Sequence, residues 1–323
     1  MGRNGTILQW CLLVVMLVVV LEWYLQKFMF HIVPGSVISI GRKVGSHVVV
    51  HCAHGLSESA HSFSKLLSVA AASPERSRIN NGACWVAHTR SHRDTLDGAD
   101  IVDQCHERGT IAVFVGHSMG AVPTVRAAEK WLARGHHVAG IVLLAPAVDA
   151  KNGFWNGMPA AHATHAVFSR FSPRIWRWFM RWSPVFPVVV WWLALSYFGN
   201  GWAPIEQIDR QRHAARNGLR SIKNLLNVDV ATDFNETLDR LLHRRVDVVM
   251  IHDPHQGMFL IQTAYLDTKD PIVPVHLITD LSDRHPSIRR TTLPAGSAGH
   301  FPHEFQTEVV LNEIYDMLVR DQA

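Results

Sequence analysis

Cysteine is scarce and unpatterned in this 323-residue chain: Cys11, Cys52, Cys84 and Cys105 form no C-x-x-C pair and no zinc-ligand spacing. A redox or structural zinc motif therefore has no support, and a reduced compartment is allowed without being required. Charge is modest as well, with a formal net charge of +4 when the histidines are neutral. No basic stripe interleaved with base-stacking aromatics is present and no nucleic-acid module is recognisable, so nucleic acid is not expected as a partner. Long apolar runs are few, since after residue 25 none reaches the ~20 residues of a bilayer span. Histidine, in contrast, is abundant, with 21 copies. The densest ligand-like group is His252-Asp253-Pro254-His255, but Pro254 interrupts it and no paired His/Glu helix accompanies it. That speaks against zinc, and no metal or organic cofactor is expected. The length and an apolar fraction of 48% fit a single large α/β core carrying one insertion.

The most informative stretch is Gly116-His117-Ser118-Met119-Gly120, which matches G-x-S-x-G and directly follows the apolar β-branched run Thr110 to Val115. In this pattern a strand turns sharply through the serine into a helix, and the flanking glycines relieve crowding. The helix is predicted over Ala121 to Arg134. Ser118 is the candidate nucleophile, and a serine hydroxyl needs an imidazole to take its proton and an acid to orient that imidazole.

Downstream, Phe259 to Leu266 reads as a buried strand, followed by the loop Asp267-Thr268-Lys269-Asp270-Pro271-Ile272-Val273-Pro274. Asp270 is the candidate acid. Asp267 and Asp253 compete with it, and Asp253 ends the apolar stretch Val246 to Ile251, which could be a strand or a helix end. Arg289 to Leu293 reads as a short last strand, and the glycine-rich loop Pro294 to His300 places the candidate base, His300, at its tip. A closing helix is predicted from about Glu304 to Arg320 from the spacing of Val309, Val310, Ile314, Met317 and Leu318. Val48 to Cys52 is a predicted strand out of which His54-Gly55-Leu56 turns. The backbone N–H groups of Leu56 and Met119 are the candidate oxyanion-hole donors.

On His54-Gly55, the G-x-S-x-G pentapeptide, the strand Ile141 to Leu144 with Ala145-Pro146-Ala147, Asp270-Pro271-Ile272-Val273-Pro274, and Gly299-His300, the chain resembles an α/β-hydrolase. It is most similar to the monoglyceride-lipase-like and serine-aminopeptidase-like lipases and esterases, over roughly residues 46–150 and 245–320. The resemblance implies the α/β class, with a mostly parallel central sheet and helices on both faces. Two positions depart from the family pattern. After the strand Ala83 to Ala87, His88 to Thr95 replaces an Asp-x-Arg-Gly-His-Gly-x-Ser turn, and Ala121 stands where many relatives have glycine. His117, beside the nucleophile, is where the family commonly has histidine; packing is its expected role.

The family pattern stops between Lys151 and about Asn235, the place of the family's inserted lid. There Arg170, Arg174, Arg177 and Arg181 recur among Phe171, Ile175, Trp176, Trp178, Phe179 and Trp182, and residues 184–198 are almost wholly apolar. Tryptophan with arginine suits a bilayer interface, so a membrane-facing acyl-binding lid is the first reading, with a buried cap or a second span as alternatives. At the N-terminus Ile7 to Leu25 gives 19 residues interrupted only by Gln9 and Glu22, about 28 Å of helix against a hydrocarbon core of ~30 Å. No small-x-small cleavage site follows, which favours an uncleaved anchor over a signal peptide. The expected organisation is an anchor over 1–30, hydrolase core over 31–150, an inserted helical lid over 151–240 and the rest of the core over 241–323. The expected function is a membrane-anchored serine hydrolase that cleaves a lipophilic carboxylic ester such as an acylglycerol, with the bilayer as its partner. Thioesterase, peptidase or acyltransferase chemistry on the same fold, or a non-catalytic membrane-tethered binding protein, are the alternatives.

Overall fold

The computed structural model describes residues 38–40, 47–55, 60–72, 83–88, 98, 101, 111–148, 230–254, 273, 275–294 and 301–322. The expected membrane anchor Ile7 to Leu25, the expected lid residues 170–198 and the predicted strand Phe259 to Leu266 lie outside them. No helix among the described residues is long and apolar enough to cross a membrane.

Seven strands form one sheet: β1 (Ile38–Ile40), β2 (Val48–Ala53), β3 (Ala83–His88), β4 (Ile111–His117), β5 (His137–Leu144), β6 (Asp247–His252) and β7 (Arg289–Thr292). Their spatial order is β1-β3-β2-β4-β5-β6-β7. β1 pairs antiparallel with β3, and every other pairing is parallel. Parallel strands need crossovers, which place helices on both faces and bury both sides of each strand. That is why β2, β4 and β5 read as continuous apolar runs instead of alternating ones.

The six described helices are α1 (Ser64–Ala72), α2 (Ala121–Ala133), α3 (Val230–His243), α4 (Val275–Arg284), α5 (Pro302–Phe305) and α6 (Thr307–Gln322). On one face Ala112 and Phe114 of β4 and Val248 and Met250 of β6 pack with Val125 and Trp131 of α2, Phe234, Leu238 and Leu241 of α3, and Ile278 and Leu281 of α4. On the other, Val113, Val115, Val249 and Ile251 pack with Leu66 and Leu67 of α1 and Val310, Leu311, Ile314 and Leu318 of α6. The i, i+4, i+7 spacing of Phe234, Leu238 and Leu241 gives α3 its buried stripe.

Helices α2 and α3 stop in the same way. At the end of α2 the N–H of Gly135 donates to the Leu132 carbonyl (3.0 Å) and that of His136 to Trp131 (3.2 Å). At the end of α3 Arg245 donates to Leu242 (2.9 Å) and Val246 to Leu241 (3.1 Å). Both are Schellman caps whose turning residue is left-handed, at φ 81° for Gly135 and φ 62° for Arg245.

The strands over residues 48–53, 83–88 and 111–117 and the helix after Ser118 form where the sequence places them. Residues 247–252, ambiguous in sequence, are a strand bonded to β5 on one side and β7 on the other. The closing helix differs from its expectation: it is two helices, broken at Gln306, whose φ of −124° and ψ of 44° leave the helical region.

Candidate active site

Ser118 is the first residue beyond β4, and its φ is 53°. A side-chain-bearing residue rarely adopts this left-handed conformation, which aims the backbone sharply from strand into helix. Its neighbours leave no room for anything larger than glycine. A Cβ on Gly116 would lie 2.6 Å from Thr124 Oγ1 and 2.8 Å from the Ala121 Cα. One on Gly120 would collide with the Ala53 carbonyl oxygen and lie 2.6 Å from that of His54. The Ser118 carbonyl accepts bonds from the Ala121 N–H and, at 3.0 Å, the Ala147 N–H, so β5's outgoing turn also holds the elbow. Ser118 is 4% exposed and Met119 is buried.

The close approach of Gly120 to Ala53 and His54 brings the elbow against the end of β2, where the chain turns through His54-Gly55. His54 is buried, and its Nδ1 donates to the Gly55 carbonyl at 2.8 Å. Of the two expected oxyanion donors, Met119 stands beside Ser118 at the start of the turn, whereas Leu56 lies outside the described residues.

His300 and Asp270 also lie outside them, whereas Phe301, directly after His300, and Val273 are described. Phe301 is buried, with its ring centroid 5.2 Å from that of His117. The residue before Ser118 thus touches the residue after the candidate base across 184 positions of sequence (301 − 117 = 184). Val273, three positions beyond Asp270, is buried in the α2–α4 core. Asp253 is the first residue after β6 and is completely buried.

Other chemically able groups are accounted for by packing. His252 is buried, and its Nε2 accepts from Arg290 at 2.8 Å. Burial and the Arg290 guanidinium push its pKa down to about 4, against the opposing pull of Asp253. His51 lies within 3.0 Å of His88, ring nitrogen to ring nitrogen, and stacks on Phe114. Burial, then the neighbouring His88, lowers its pKa well below the ordinary value. Burial raises the Cys52 thiol far above its usual range, so no thiolate nucleophile arises there. Among the described residues no group of His, Cys, Asp or Glu could hold a metal ion. Sequence reasoning missed His303, which packs beside His117, and Phe63, which packs on His303. The available signal was Pro302 at the first turn of a helix immediately after the histidine loop.

Residues 48–313 match the alpha/beta hydrolase family. The chain belongs to this family. No curated protein sequence matches. Among solved structures, the chain is similar to a carboxylesterase of the thaumarchaeon Nitrososphaera gargenis (11% identity, TM-score 0.54, covering 88% of this chain and 95% of that one). It is similar to the thioesterase domain from the curacin biosynthetic pathway (14%, 0.53, 86% and 94%). It is also similar to the carboxylesterase CesB of Bacillus subtilis (17%, 0.50, 94% and 96%). At these identities the likeness is one of fold alone, and the bond and substrate rest on the site of the chain itself.

Proposed function

We propose that this protein is a membrane-anchored serine esterase that cleaves a lipophilic carboxylic ester, of the acylglycerol kind, through an acyl-enzyme. The observation that supports it most is the strained Ser118, aimed by two obligatory glycines, with the segment after His300 packed on the residue before it.

In this mechanism His300 takes the proton from Ser118 Oγ as that oxygen attacks the ester carbonyl. The C–O bond being formed pushes the carbonyl electrons onto oxygen, and the N–H groups of Met119 and Leu56 stabilise the charge. The tetrahedral intermediate collapses, the alcohol leaves with the proton held by His300, and the acyl group stays on Ser118. Water then attacks with His300 as base, releasing the carboxylic acid and restoring the serine. Asp270 keeps the imidazole in the tautomer that can accept from Ser118. Residues 7–25 anchor the enzyme in the bilayer, and the Trp- and Arg-rich stretch 170–198 is the route by which a membrane-dissolved ester reaches the site without crossing water.

Labelling with a fluorophosphonate probe tests the nucleophile. Detergent-solubilised protein labels on Ser118, while Ser118→Ala neither labels nor hydrolyses esters, with a loss on the order of 10⁴–10⁶ in kcat. Ser118→Ala retaining more than a tenth of the activity overturns the assignment. Alkaline carbonate extraction tests the anchor: the protein stays with the membrane pellet, and release into the supernatant removes the membrane part of the proposal.

A further inference from the structure

Three stretches far apart in sequence must meet for the proposed chemistry: the turn after β2, the elbow after β4 and the loop before α5. One cluster of buried rings joins the 3₁₀ turn that enters α1, the residue before Ser118 and the residues that enter α5. Phe63 belongs to the 3₁₀ turn Ala60–Phe63 that enters α1, eight residues beyond Gly55 (63 − 55 = 8). His117 immediately precedes Ser118, and Phe301 immediately follows His300. His303 stands at the centre. Its ring centroid is 4.6 Å from Phe63, 4.6 Å from His117 and 6.1 Å from Phe301. His117 and Phe301 are themselves 5.2 Å apart. Phe63, His117 and His303 have no exposed surface, and Phe301 has 8%.

The backbone under this cluster is pinned. Lys65 of α1 donates from Nζ to the Glu304 carbonyl at 2.5 Å, linking the helix after the oxyanion turn to α5. Thr307 Oγ1 donates to the His303 carbonyl at 2.9 Å across the break before α6. Two consecutive carbonyls of the four-residue helix α5 are thereby held, and Phe301, just before it, and His303, within it, pack against the rings of the other segments.

We propose that His303 is a positioning residue, whose ring, packed against Phe63 and His117 at once, holds the chain that directly follows the candidate base against the elbow at Ser118. This rests on the proposed Ser118–His300 chemistry and adds to it the element that aligns nucleophile and base. The physical reason is the steep dependence of proton transfer on geometry: a displacement of about 1 Å costs on the order of 10²-fold in rate. Buried rings resist such displacement because the interior is close-packed and their neighbours cannot move independently. In this role His303 acts through its ring neighbours. Its effect belongs in turnover, leaving substrate affinity alone.

The test compares full-length detergent-solubilised wild type with His303→Ala, His303→Phe and His303→Asn. Ester hydrolysis and fluorophosphonate labelling rates are read well below the thermal midpoint of each variant. His303→Ala lowers kcat and the labelling rate by roughly 30- to 100-fold with KM within about twofold. His303→Phe restores the ring and returns kcat to within about fivefold of wild type, whereas His303→Asn behaves as the alanine variant does. Phe63→Leu, which removes one partner ring, gives a loss in the same direction and serves if His303→Ala does not fold. Unchanged kcat in His303→Ala, a rise in KM without a fall in kcat, or a phenylalanine variant no better than alanine overturns the positioning role. Wild-type protein that fails to label at Ser118 overturns the esterase reading itself, a distinct result from wild type and His303→Ala labelling equally.

Discussion

A φ of 53° at Ser118 costs on the order of 1–2 kcal/mol for an L-residue, and that strain persists only because the surroundings over-determine it. Gly120 shows how: its missing Cβ is what allows the elbow to lie against Ala53 and His54. Gly120→Ala must push the elbow away from β2, so fluorophosphonate labelling is expected to fall at least tenfold with stability lowered by about 1–3 kcal/mol in urea titration. Labelling at the wild-type rate would show that the contact does not set the nucleophile. The acid is a second question at this scale, because Asp253 is buried at the end of β6 whereas Asp270 precedes the core residue Val273. Asp270→Asn is expected to lower kcat by about 10³–10⁴ through loss of the useful His300 tautomer, and Asp253→Asn to act chiefly on the thermal midpoint. A larger kcat loss from Asp253→Asn would move the acid to the strand end.

Among the elements, the two Schellman turns make an internal comparison, since Gly135 and Arg245 occupy one conformation with different side chains. Arg245→Gly is expected to stabilise the protein by about 0.5–1 kcal/mol, the left-handed penalty outweighing glycine's extra unfolded-state entropy. Gly135→Ala is expected to destabilise by a similar amount, because nothing lies within 4 Å of the new Cβ and only the backbone penalty remains. Equal stability of both variants with wild type, in the same urea titration, would dismiss the argument. Elements were legible in sequence where burial is two-sided: β2, β4 and β5 are apolar at nearly every position because helices cover both faces. The six residues of β6 were not decidable alone, since a short apolar run fits a strand or a helix end, and only pairing with β5 and β7 decides. The break at Gln306 was invisible because apolar periodicity continues across it from Phe305 to Val309 and Val310. The sharp turn at Ser118 was legible because its motif is local. The packing of His303 was not, since it depends on rings at positions 63, 117 and 301 that meet only in the folded chain.

For the whole molecule, the buried histidines make stability depend on pH. His252 has a pKa near 4 when folded against an ordinary value of about 6.5, and His51 is lowered as well. Between those values the unfolded chain binds more protons than the folded one, so stability rises with pH there. Stability present above pH ~6.5 is therefore lost as pH falls through about 4, and His252→Gln should make the decline shallower in thermal melts taken from pH 7.5 to 4. A decline equally steep in the variant would assign it to other groups. The sheet itself carries a further consequence. Val113 and Val115 belong to one hydrophobic cluster while Ala112 and Phe114, interleaved on the same strand, belong to the other. β6 divides in the same way between Val248 with Met250 and Val249 with Ile251. Neither side of the sandwich can melt while the strands remain straight for its opposite. Calorimetry on the catalytic core should register one heat-absorption peak in which van't Hoff and calorimetric enthalpies agree, although two helical layers, contributed by distant parts of the chain, come apart within it.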